Sequence, residues 1–295
     1  MRGTCGRHGD AGSTILAAAA AENPSAHATC VEDGTPIGIF GDYDVDGATS
    51  SALLKMYLNA LNIRNELYIP DRMKDGYGPN KQGLEYLQAK GASLILTLDC
   101  GILAFDVLDD FSLQGGEVIV IDHHMAEPKL PKAIAVVNPN RLDDLSDLGN
   151  LAAVGVVFLL LVALTRRLRK VGWFSKKTEP DLLQWLDLVA IGTVCDVVEL
   201  KGLNRAYVAQ GLKVMALQKN IGVKALREVA LVNSKPNSYQ VGFTLGPRIN
   251  AGGRVGKCSH GANLLLNSNP KESFKIASEL DQFNSERKNL EKDLL

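Results

Sequence analysis

The sequence predicts an α/β fold in which a doubly wound, mainly parallel sheet is flanked by helices and followed by a helical segment. Short apolar runs alternate with stretches whose apolar residues recur at helical spacing, from residue 35 to about residue 145. The first run is apolar at consecutive positions, as expected for a strand covered on both faces. After about residue 150 the patterns are helical, and residues 281–295 predict the start of a long connecting helix.

Five strands and seven further helices are predicted along the chain. The predicted strands are 37–40, 66–69, 93–98, 117–121 and 134–137. The predicted helices are 52–61, 82–89, 104–110, 151–170, 181–198, 204–217 and 223–232. Residues 1–35 predict a poorly defined arm in which Ser13 or Thr14 could cap a short helix ending at Ala21.

Composition excludes several classes of protein. The chain is 46% hydrophobic and 22% charged, which is ordinary for a globular protein. Its net charge of −1 provides no global attraction for nucleic acid, so a polyanion site must be a local patch. Five scattered cysteines without a CxxC pair predict neither a disulfide framework nor a structural zinc site. The uncharged run 151–164 is too short to span a bilayer. We therefore expect a cytoplasmic protein with no membrane contact.

Acidic residues follow three of the predicted strands. Asp42, Asp44 and Asp46 follow the first strand, Asp99 follows the third, and Asp122-His123-His124 follows the fourth. The carboxyl ends of parallel strands share one edge of a sheet, where ligands gather. Asp42, Asp44 and Asp46 would converge if the backbone stayed extended. Clustered carboxylates repel unless protons or cations neutralise them, and hard divalent cations prefer oxygen ligands. The simpler interpretation is a polar turn after a strand.

Three features of the helical half are also candidates for function. Asp196 lies between apolar residues, and a buried carboxylate there needs a metal, a helix cap or an ion pair. The glycine-rich stretch 245–254, which carries Arg248, Asn250 and Arg254, predicts either a phosphate cradle or an ordinary loop with solvated arginines. The basic stretch 166–177 contains Trp173 and Phe174, which either stack bases or lie at a solvated helix end.

Four segments together resemble, in order and spacing, the motifs of the DHH phosphoesterase family. They are residues 41–47, Asp99, Asp122-His123-His124 and residues 192–196. Residues 70–72, 76–78, 151–156 and 246–254 further resemble the RecJ-like branch, whose members are 5′→3′ exonucleases of single-stranded DNA. The resemblance runs from about residue 37 to the end. It implies a catalytic domain over 36–280, with 281–295 leading to a DHHA1-type domain that the sequence does not include.

The resemblance implies a two-metal phosphodiesterase that uses Mn²⁺ or Mg²⁺ to degrade single-stranded DNA in repair and recombination. Asp44 and Asp46 would each serve one ion, Asp99 both, and His123 and Asp196 would complete the ligand sets. His124 would contact the scissile phosphate or the leaving group. Phosphates would be held by Arg72, Arg248, Asn250 and Arg254. Many family members have a histidine at the position of Phe40, so Asp42 is a candidate replacement ligand. A monomer is expected.

Two alternatives remain at this stage. One is a DHH phosphodiesterase acting on short oligonucleotides, cyclic dinucleotides or pyrophosphate, against which the stretch 246–254 argues. The other is a scaffold without catalytic activity. The complete set of acidic and histidine residues argues against that scaffold, because clustered acids are costly to keep.

Overall fold

The computed structural model describes residues 35–293 and contains the predicted parallel sheet. Its five strands run in the order β2-β1-β3-β4-β5, and each neighbouring pair is parallel. They are β1 (Ile37–Gly41), β2 (Asn65–Tyr68), β3 (Leu94–Leu98), β4 (Glu117–Ile121) and β5 (Ala135–Val137). The predicted strands are therefore confirmed to within a residue or so. The predicted helix ending at Ala21 lies outside the described residues.

Helices cover both faces of the sheet and form the second half of the chain. Along the sheet they are α1 (Val45–Ala60), α2 (Lys81–Ala89) and α3 (Phe105–Leu113). After the sheet come α4 (Ala153–Lys170), α5 (Leu186–Cys195), α6 (Gly202–Ala216), α7 (Ile221–Val229), α8 (Gly246–Val255), α9 (His260–Leu266) and α10 (Pro270–Asp293). A short turn (Ser238–Gln240) and a π-helical turn (Val241–Leu245) lead into α8. Within residues 35–293, no helix combines the length and apolar character that a membrane span requires.

Alternating strand residues face two separate apolar layers. Ile39 belongs to the larger core, together with α1 and the helices of the second half. The next residue, Phe40, faces the smaller core formed with α2 and α3. Because successive strand side chains point to opposite faces, a strand covered on both sides must be apolar throughout. The doubly wound fold predicted from the sequence is therefore confirmed.

The order of the strands fixes where a ligand site can form. The chain moves from β1 to β2 at one edge and then returns to place β3 on the other side of β1. This reversal opens a crevice between the carboxyl ends of β1 and β3, the usual ligand position in such sheets. Asp42 follows β1 and Asp99 follows β3. The topology therefore brings these two acidic segments together.

Several predicted boundaries and one predicted conformation were wrong. Helix α1 begins at Val45 rather than at residue 52, so Asp44 keeps an extended backbone but Asp46 is helical, and the three acids do not share one extended segment. Asp196 caps the end of α5 instead of lying inside a helix. The glycine-rich stretch is neither a cradle nor a loop, because residues 246–255 form helix α8. Their helical backbone N–H groups are therefore largely engaged within the helix. The connecting helix begins at Pro270.

Candidate metal centre

The strand-to-helix turn after β1 brings three carboxylates together. Asp44 is the N-cap of α1, and its Oδ1 accepts a hydrogen bond from Gly47 N over 2.8 Å. Asp42 Oδ2 accepts a longer bond of 3.4 Å from Asp44 N. A Cβ on Gly47 would lie 2.6 Å from Asp42 Cβ, so only glycine permits so tight a turn. The acids converge because the chain turns into a helix, not because it stays extended.

Asp46 joins the turn to the second half of the chain. Its carboxylate accepts hydrogen bonds from Ala153 N at 2.6 Å and Val154 N at 3.0 Å. These are among the first N–H groups of α4, where the helix dipole favours negative charge. Asp46 is only 1% exposed. Residues 151–156 are thus a docking point for the first acidic segment.

Asp99 turns its carboxylate into the crevice through an unusual backbone conformation. Its φ is +60°, a left-handed value that Asp adopts more readily than most residues. Its N–H donates to Ile121 O at 2.9 Å, and its carbonyl accepts from Tyr77 Oη at 3.2 Å. Strained backbone of this kind is often retained at functional sites.

The two histidines after β4 have different environments. His123 Nε2 lies 3.3 Å from Asp99 Oδ1 and 3.9 Å from Asp46 Oδ2, and its Nδ1 lies 3.7 Å from Asp196 Oδ2. His124 Nδ1 lies 2.7 Å from Asp122 Oδ1 and is more exposed. Burial, and then His124, lower the pKa of His123, whereas the hydrogen bond to Asp122 raises the pKa of His124. A neutral His123 can serve as a metal ligand.

The acids and histidines form three overlapping groups that could each hold a metal ion. Within each group the candidate ligand atoms lie within 4.8 Å of one another. The groups are Asp42, Asp44 and Asp99; Asp46, His123 and Asp196; and Asp99, His123 and His124. Every metal ligand expected from the sequence belongs to at least one group. Asp99 and His123 belong to two groups each, so the geometry accommodates two neighbouring ions.

Some ligand atoms of the candidate metal groups are buried without a hydrogen-bond partner. Among the buried side-chain atoms of this kind, four belong to these groups, namely Asp42 Oδ1, Asp99 Oδ1, His123 Nε2 and Asp196 Oδ2. An unpaired buried polar atom costs about 1–3 kcal/mol, and a bound cation would give these four a partner. The residues present therefore fit divalent cations held by mixed carboxylate and imidazole ligands.

The pKa values of the carboxyl groups reflect the same deficit of positive charge. Burial, together with the charge of Asp44, raises the pKa of both Asp42 and Asp196 to about 7. Burial and neighbouring carboxylates also raise the pKa values of Asp46 and Asp99 well above their usual range. A bound cation would favour the ionised forms and reverse these shifts.

A pocket of about 240 Å³ opens beside the first carboxylate group. Asp42 and Asp44 line it together with Tyr43, Arg72, Tyr77, Asn250, Gly253 and Arg254. The Arg72 guanidinium lies 5.3 Å from the centre of the Tyr43 ring, and the Tyr77 ring makes edge contacts with both Tyr43 and His124. Acidic groups therefore meet basic and aromatic groups, as recognition of a phosphate bound to cations requires.

Arg248 does not join this pocket, unlike the other predicted phosphate-binding residues. Its Nε donates to Asp281 Oδ1 at 2.8 Å, and its Nη1 donates to Thr244 O at 2.7 Å. The arginine thus ties α8 to the connecting helix α10. Two and six residues later on α8, Asn250 and Arg254 line the pocket. In a glycine-rich loop, Arg248, Asn250 and Arg254 would all be free to reach the pocket. In helix α8, only Asn250 and Arg254 line it.

Three residues of the site carried no predicted role. The sequence identifies Asp122 only as part of its motif, yet Asp122 is 1% exposed and receives four hydrogen bonds. Tyr43 and Tyr77 lie beside predicted site residues in the sequence, in the segments 41–47 and 76–78. Their proximity to motif residues was the available signal. Their ring contacts depend on tertiary structure and could not be read from spacing.

A comparison with known protein families matches the half of the chain that contains the sheet and most of the candidate metal ligands. The profile described as DHH family, N-terminal domain, matches residues 36–193, which is more than half of the sequence. The chain belongs to the DHH family. The matched DHH region spans β1 to most of α5 and includes every candidate metal ligand except Asp196, which lies three residues beyond its end.

Similar DHH proteins include RecJ proteins from several bacteria. The chain is 42% identical over 267 residues to the single-stranded-DNA-specific exonuclease RecJ of Escherichia coli, covering 89% of this chain and 46% of that protein. It is 38% identical over 255 residues to the RecJ of Bacillus subtilis, covering 86% of this chain and 31% of that protein. The chain thus spans about half or less of the curated relatives it matches.

Solved structures of RecJ show the same fold. An exonuclease RecJ bound to manganese superposes with a TM-score of 0.81 at 34% identity, over 95% of this chain and 68% of that one. RecJ from Thermus thermophilus in complex with Mg²⁺ gives 0.68 at 31% identity, over 95% of this chain and 35% of that one. The DHH domain described here therefore has the fold of metal-binding relatives.

Proposed function

We propose that this DHH domain is the catalytic core of a metal-dependent phosphodiesterase that removes nucleotides from single-stranded DNA in the 5′→3′ direction. The observation that carries the proposal is that buried ligand atoms of the candidate metal groups have no hydrogen-bond partner. The choice of substrate rests on relatives described as single-stranded-DNA-specific exonucleases. The direction of degradation, a role in DNA repair and recombination, a cytoplasmic location and a monomeric state remain predictions.

Two Mn²⁺ or Mg²⁺ ions, when bound, would supply an activated water and neutralise charge on the attacking and leaving oxygens. We assign Asp42, Asp44 and Asp99 to one ion and Asp46, His123 and Asp196 to the other, with Asp99 close to both. Asp42 would take the place of the family histidine, because Phe40 is fully buried in the smaller core. The hydrogen bonds from α4 hold the Asp46 carboxylate in place.

His124 is assigned to the scissile phosphate or the leaving oxygen. Asp122 accepts the hydrogen bond from His124 Nδ1, so His124 Nε2 is the ring nitrogen that remains available to substrate. The raised pKa of His124 favours the protonated ring, which can donate to a phosphate oxygen or return a proton to the leaving oxygen. Its partial exposure places it at the mouth of the crevice.

The pocket beside the metal groups is assigned to the terminal phosphate. Arg72 and Arg254 line it with Asn250, and an arginine fork can bind phosphate oxygens in pairs. The Tyr43 ring supports the Arg72 guanidinium from one side. A pocket that binds a terminal phosphate would favour removal of nucleotides from an end over internal cleavage.

Hydrolysis of defined substrates tests the proposal. Purified chain with Mn²⁺ should shorten a 5′-phosphorylated, 3′-labelled single strand one nucleotide at a time and leave a duplex intact. Asp99→Ala should abolish hydrolysis, because it removes a ligand shared by two groups. Asp110→Ala, a change on the surface helix α3, is the matched control and should retain activity.

Other results would overturn the proposal. Cleavage confined to dinucleotides, cyclic dinucleotides or pyrophosphate would assign the domain to a different DHH phosphodiesterase. A folded chain that binds no Mn²⁺ in calorimetric titration would instead indicate a scaffold.

A further inference from the structure

Two aromatic side chains in mutual contact are exposed at the start of the helical run that leads into α8. Tyr239 and Phe243 expose 69% and 72% of their surfaces. Their ring centres are 4.9 Å apart, and the rings are tilted by 30°. Aromatic side chains usually bury most of their area, so an exposed pair in contact is typical of a binding surface. We propose that this aromatic pair stacks on bases of the single strand downstream of the terminal-phosphate pocket.

The aromatic pair shares one helical run with residues of the pocket. Phe243 lies in the π-helical turn, and Asn250 and Arg254 follow it on α8. Tyr239, Phe243, Asn250 and Arg254 follow one another along this run at steps of four, seven and four residues. At about 1.5 Å per residue, Phe243 is roughly 10 Å along the axis from Asn250. This corresponds to about three stacked nucleotides at roughly 3.4 Å each.

The turn that carries the pair is packed against the end of α5, directly before Asp196. Val241 O accepts a weak hydrogen bond from Cys195 Sγ at 3.7 Å. A Cβ on Gly242 would lie 3.3 Å from Val194 Cγ1. The π-helical turn is thus held beside the second metal group, and such turns occur often at functional sites. A strand that crosses the metal centre would pass close to both rings.

The charge around the aromatic pair favours nucleic acid over a protein partner. Residues 229–271 contain no Asp or Glu, although the whole chain has a net charge of −1. The same stretch carries five basic residues, Lys235, Arg248, Arg254, Lys257 and Lys271. Only Arg248 among them has a carboxylate partner in the described part of the chain. A stretch of chain that combines basic residues with exposed aromatic rings is the usual composition of a single-strand binding segment.

The inference rests on the proposed function and is tested on strands that resist hydrolysis. A 12-nucleotide phosphorothioate strand with a 5′-phosphate carries 2-aminopurine at its third to fifth positions. Binding to the wild-type chain should quench 2-aminopurine fluorescence. The double variant Tyr239→Ala/Phe243→Ala should abolish the quenching and raise Kd by a factor of about 5 to 100, the loss expected for one stacked base. Tyr239→Phe/Phe243→Tyr keeps both rings and should behave as wild type.

Two comparisons separate stacking from general damage. A dinucleotide does not reach the aromatic pair, so the alanine variant should hydrolyse it with unchanged kcat/KM. Tyr86→Ala removes an aromatic ring from α2, on the other layer of the sheet, and should leave strand binding unchanged. Equal losses on the dinucleotide and the long strand would make the pair structural and overturn the inference.

The remaining outcomes are also decisive. If the wild-type chain binds strands and the alanine variant binds them equally well, the aromatic pair has no role in binding. The inference then fails while the proposed function stands. A change in oligomeric mass with unchanged DNA affinity would assign the pair to a protein contact and also overturn it. If the wild-type chain neither binds nor hydrolyses any strand, the proposed function itself fails.

Discussion

Asp122 receives four hydrogen bonds, from the backbone of Ile102, His123 and His124 and from His124 Nδ1. Although burial opposes ionisation, the bonds from His124 hold the pKa of Asp122 below its ordinary value. An ionised carboxylate can only accept, so Nδ1 of His124 must carry the proton. Asp122 therefore fixes both the orientation and the tautomer of His124 without belonging to a metal group.

We predict that Asp122→Asn lowers kcat by about 10- to 100-fold, the usual cost of losing such a supporting partner. The new amide donor would face N–H groups that need an acceptor, and His124 would lose its orientation. Calorimetric titration should still find the wild-type number of Mn²⁺ ions. Asp109→Asn is the matched control and should keep kcat, because Asp109 also accepts a backbone hydrogen bond, from Lys132 N, but belongs to no candidate metal group. Loss of Mn²⁺ binding in parallel with kcat would contradict a positioning role.

The carboxyl groups with raised pKa values predict how stability depends on pH. Asp42 and Asp196 have pKa values of about 7 in the folded, metal-free chain, against about 4 when unfolded. Between these values the folded state binds more protons, so stability falls as pH rises from about 4 to about 7 and then levels off. Scanning calorimetry of the metal-free chain should show Tm falling over this range.

Mn²⁺ requires the ionised carboxylates, so the increase in Tm caused by Mn²⁺ should be larger at pH 8 than at pH 5. The variant Asp42→Asn/Asp196→Asn should show a weaker pH dependence in the metal-free state. An increase in Tm that is the same at both pH values would mean that these groups do not hold the metal.

At the scale of elements, the contact between α1 and α5 determines whether the second metal group can form. A Cβ on Gly192 would lie 2.6 Å from Val154 Cγ1 and 2.7 Å from Asp46 Oδ1, and it would also collide with Thr49. Three helices therefore meet at a position where no side chain fits. Their closeness brings Asp196, at the end of α5, to Asp46 in the first turn of α1.

Gly192→Ala should destabilise the chain by about 1–3 kcal/mol, the usual cost of overpacking a core, and should weaken Mn²⁺ binding. Gly155→Ala is the matched control, because its Cβ would meet neighbours at 3.5 Å or more within helix α4. Alanine there should be neutral or stabilising by up to about 1 kcal/mol. Chemical denaturation measures both variants. Equal stability of the two would contradict the close contact between α1 and α5.

The elements that the sequence predicts well are those whose pattern is local. The apolar runs of β1 and β4 and the acids that follow them are local features, and the shared edge follows from parallel pairing. Long-range contacts decide the rest. The aromatic residues of the basic stretch, Trp173 and Phe174, are half-buried against the larger core, whereas Tyr239 and Phe243 are exposed. The glycines of α8 indicated a loop by composition, but close packing with Tyr43 and α10 explains why they are small.

At the scale of the whole molecule, acidic and basic residues are distributed unevenly along the chain. The carboxyl edge of the sheet collects acids, whereas the stretch 229–271 carries five basic residues and no acids, and only Arg248 of the five has a carboxylate partner in the described residues. Metal ions would neutralise the acids, and phosphates would neutralise the unpaired basic residues. A net charge of −1 conceals this distribution, so composition alone could not identify a nucleic-acid site.

The arginines should differ in their contribution to salt dependence. Arg72→Ala and Arg254→Ala should each reduce the slope of log affinity against log salt by about 0.7, the value for one lost phosphate contact on a single strand. Arg248→Ala should leave the slope unchanged and lower stability, because Asp281 loses its partner. Strand affinity measured from 50 to 300 mM NaCl distinguishes them. A reduced slope for Arg248→Ala would return that residue to the phosphate-binding set.

A crystal of the chain soaked in Mn²⁺ tests the central assignment most directly. Anomalous scattering should show two ions, one contacted by Asp42, Asp44 and Asp99 and the other by Asp46, His123 and Asp196. Asp42 should contact the first ion directly, since Phe40 offers no ligand. A single ion, ions outside these groups, or two ions with Asp42 remote from both would contradict the account.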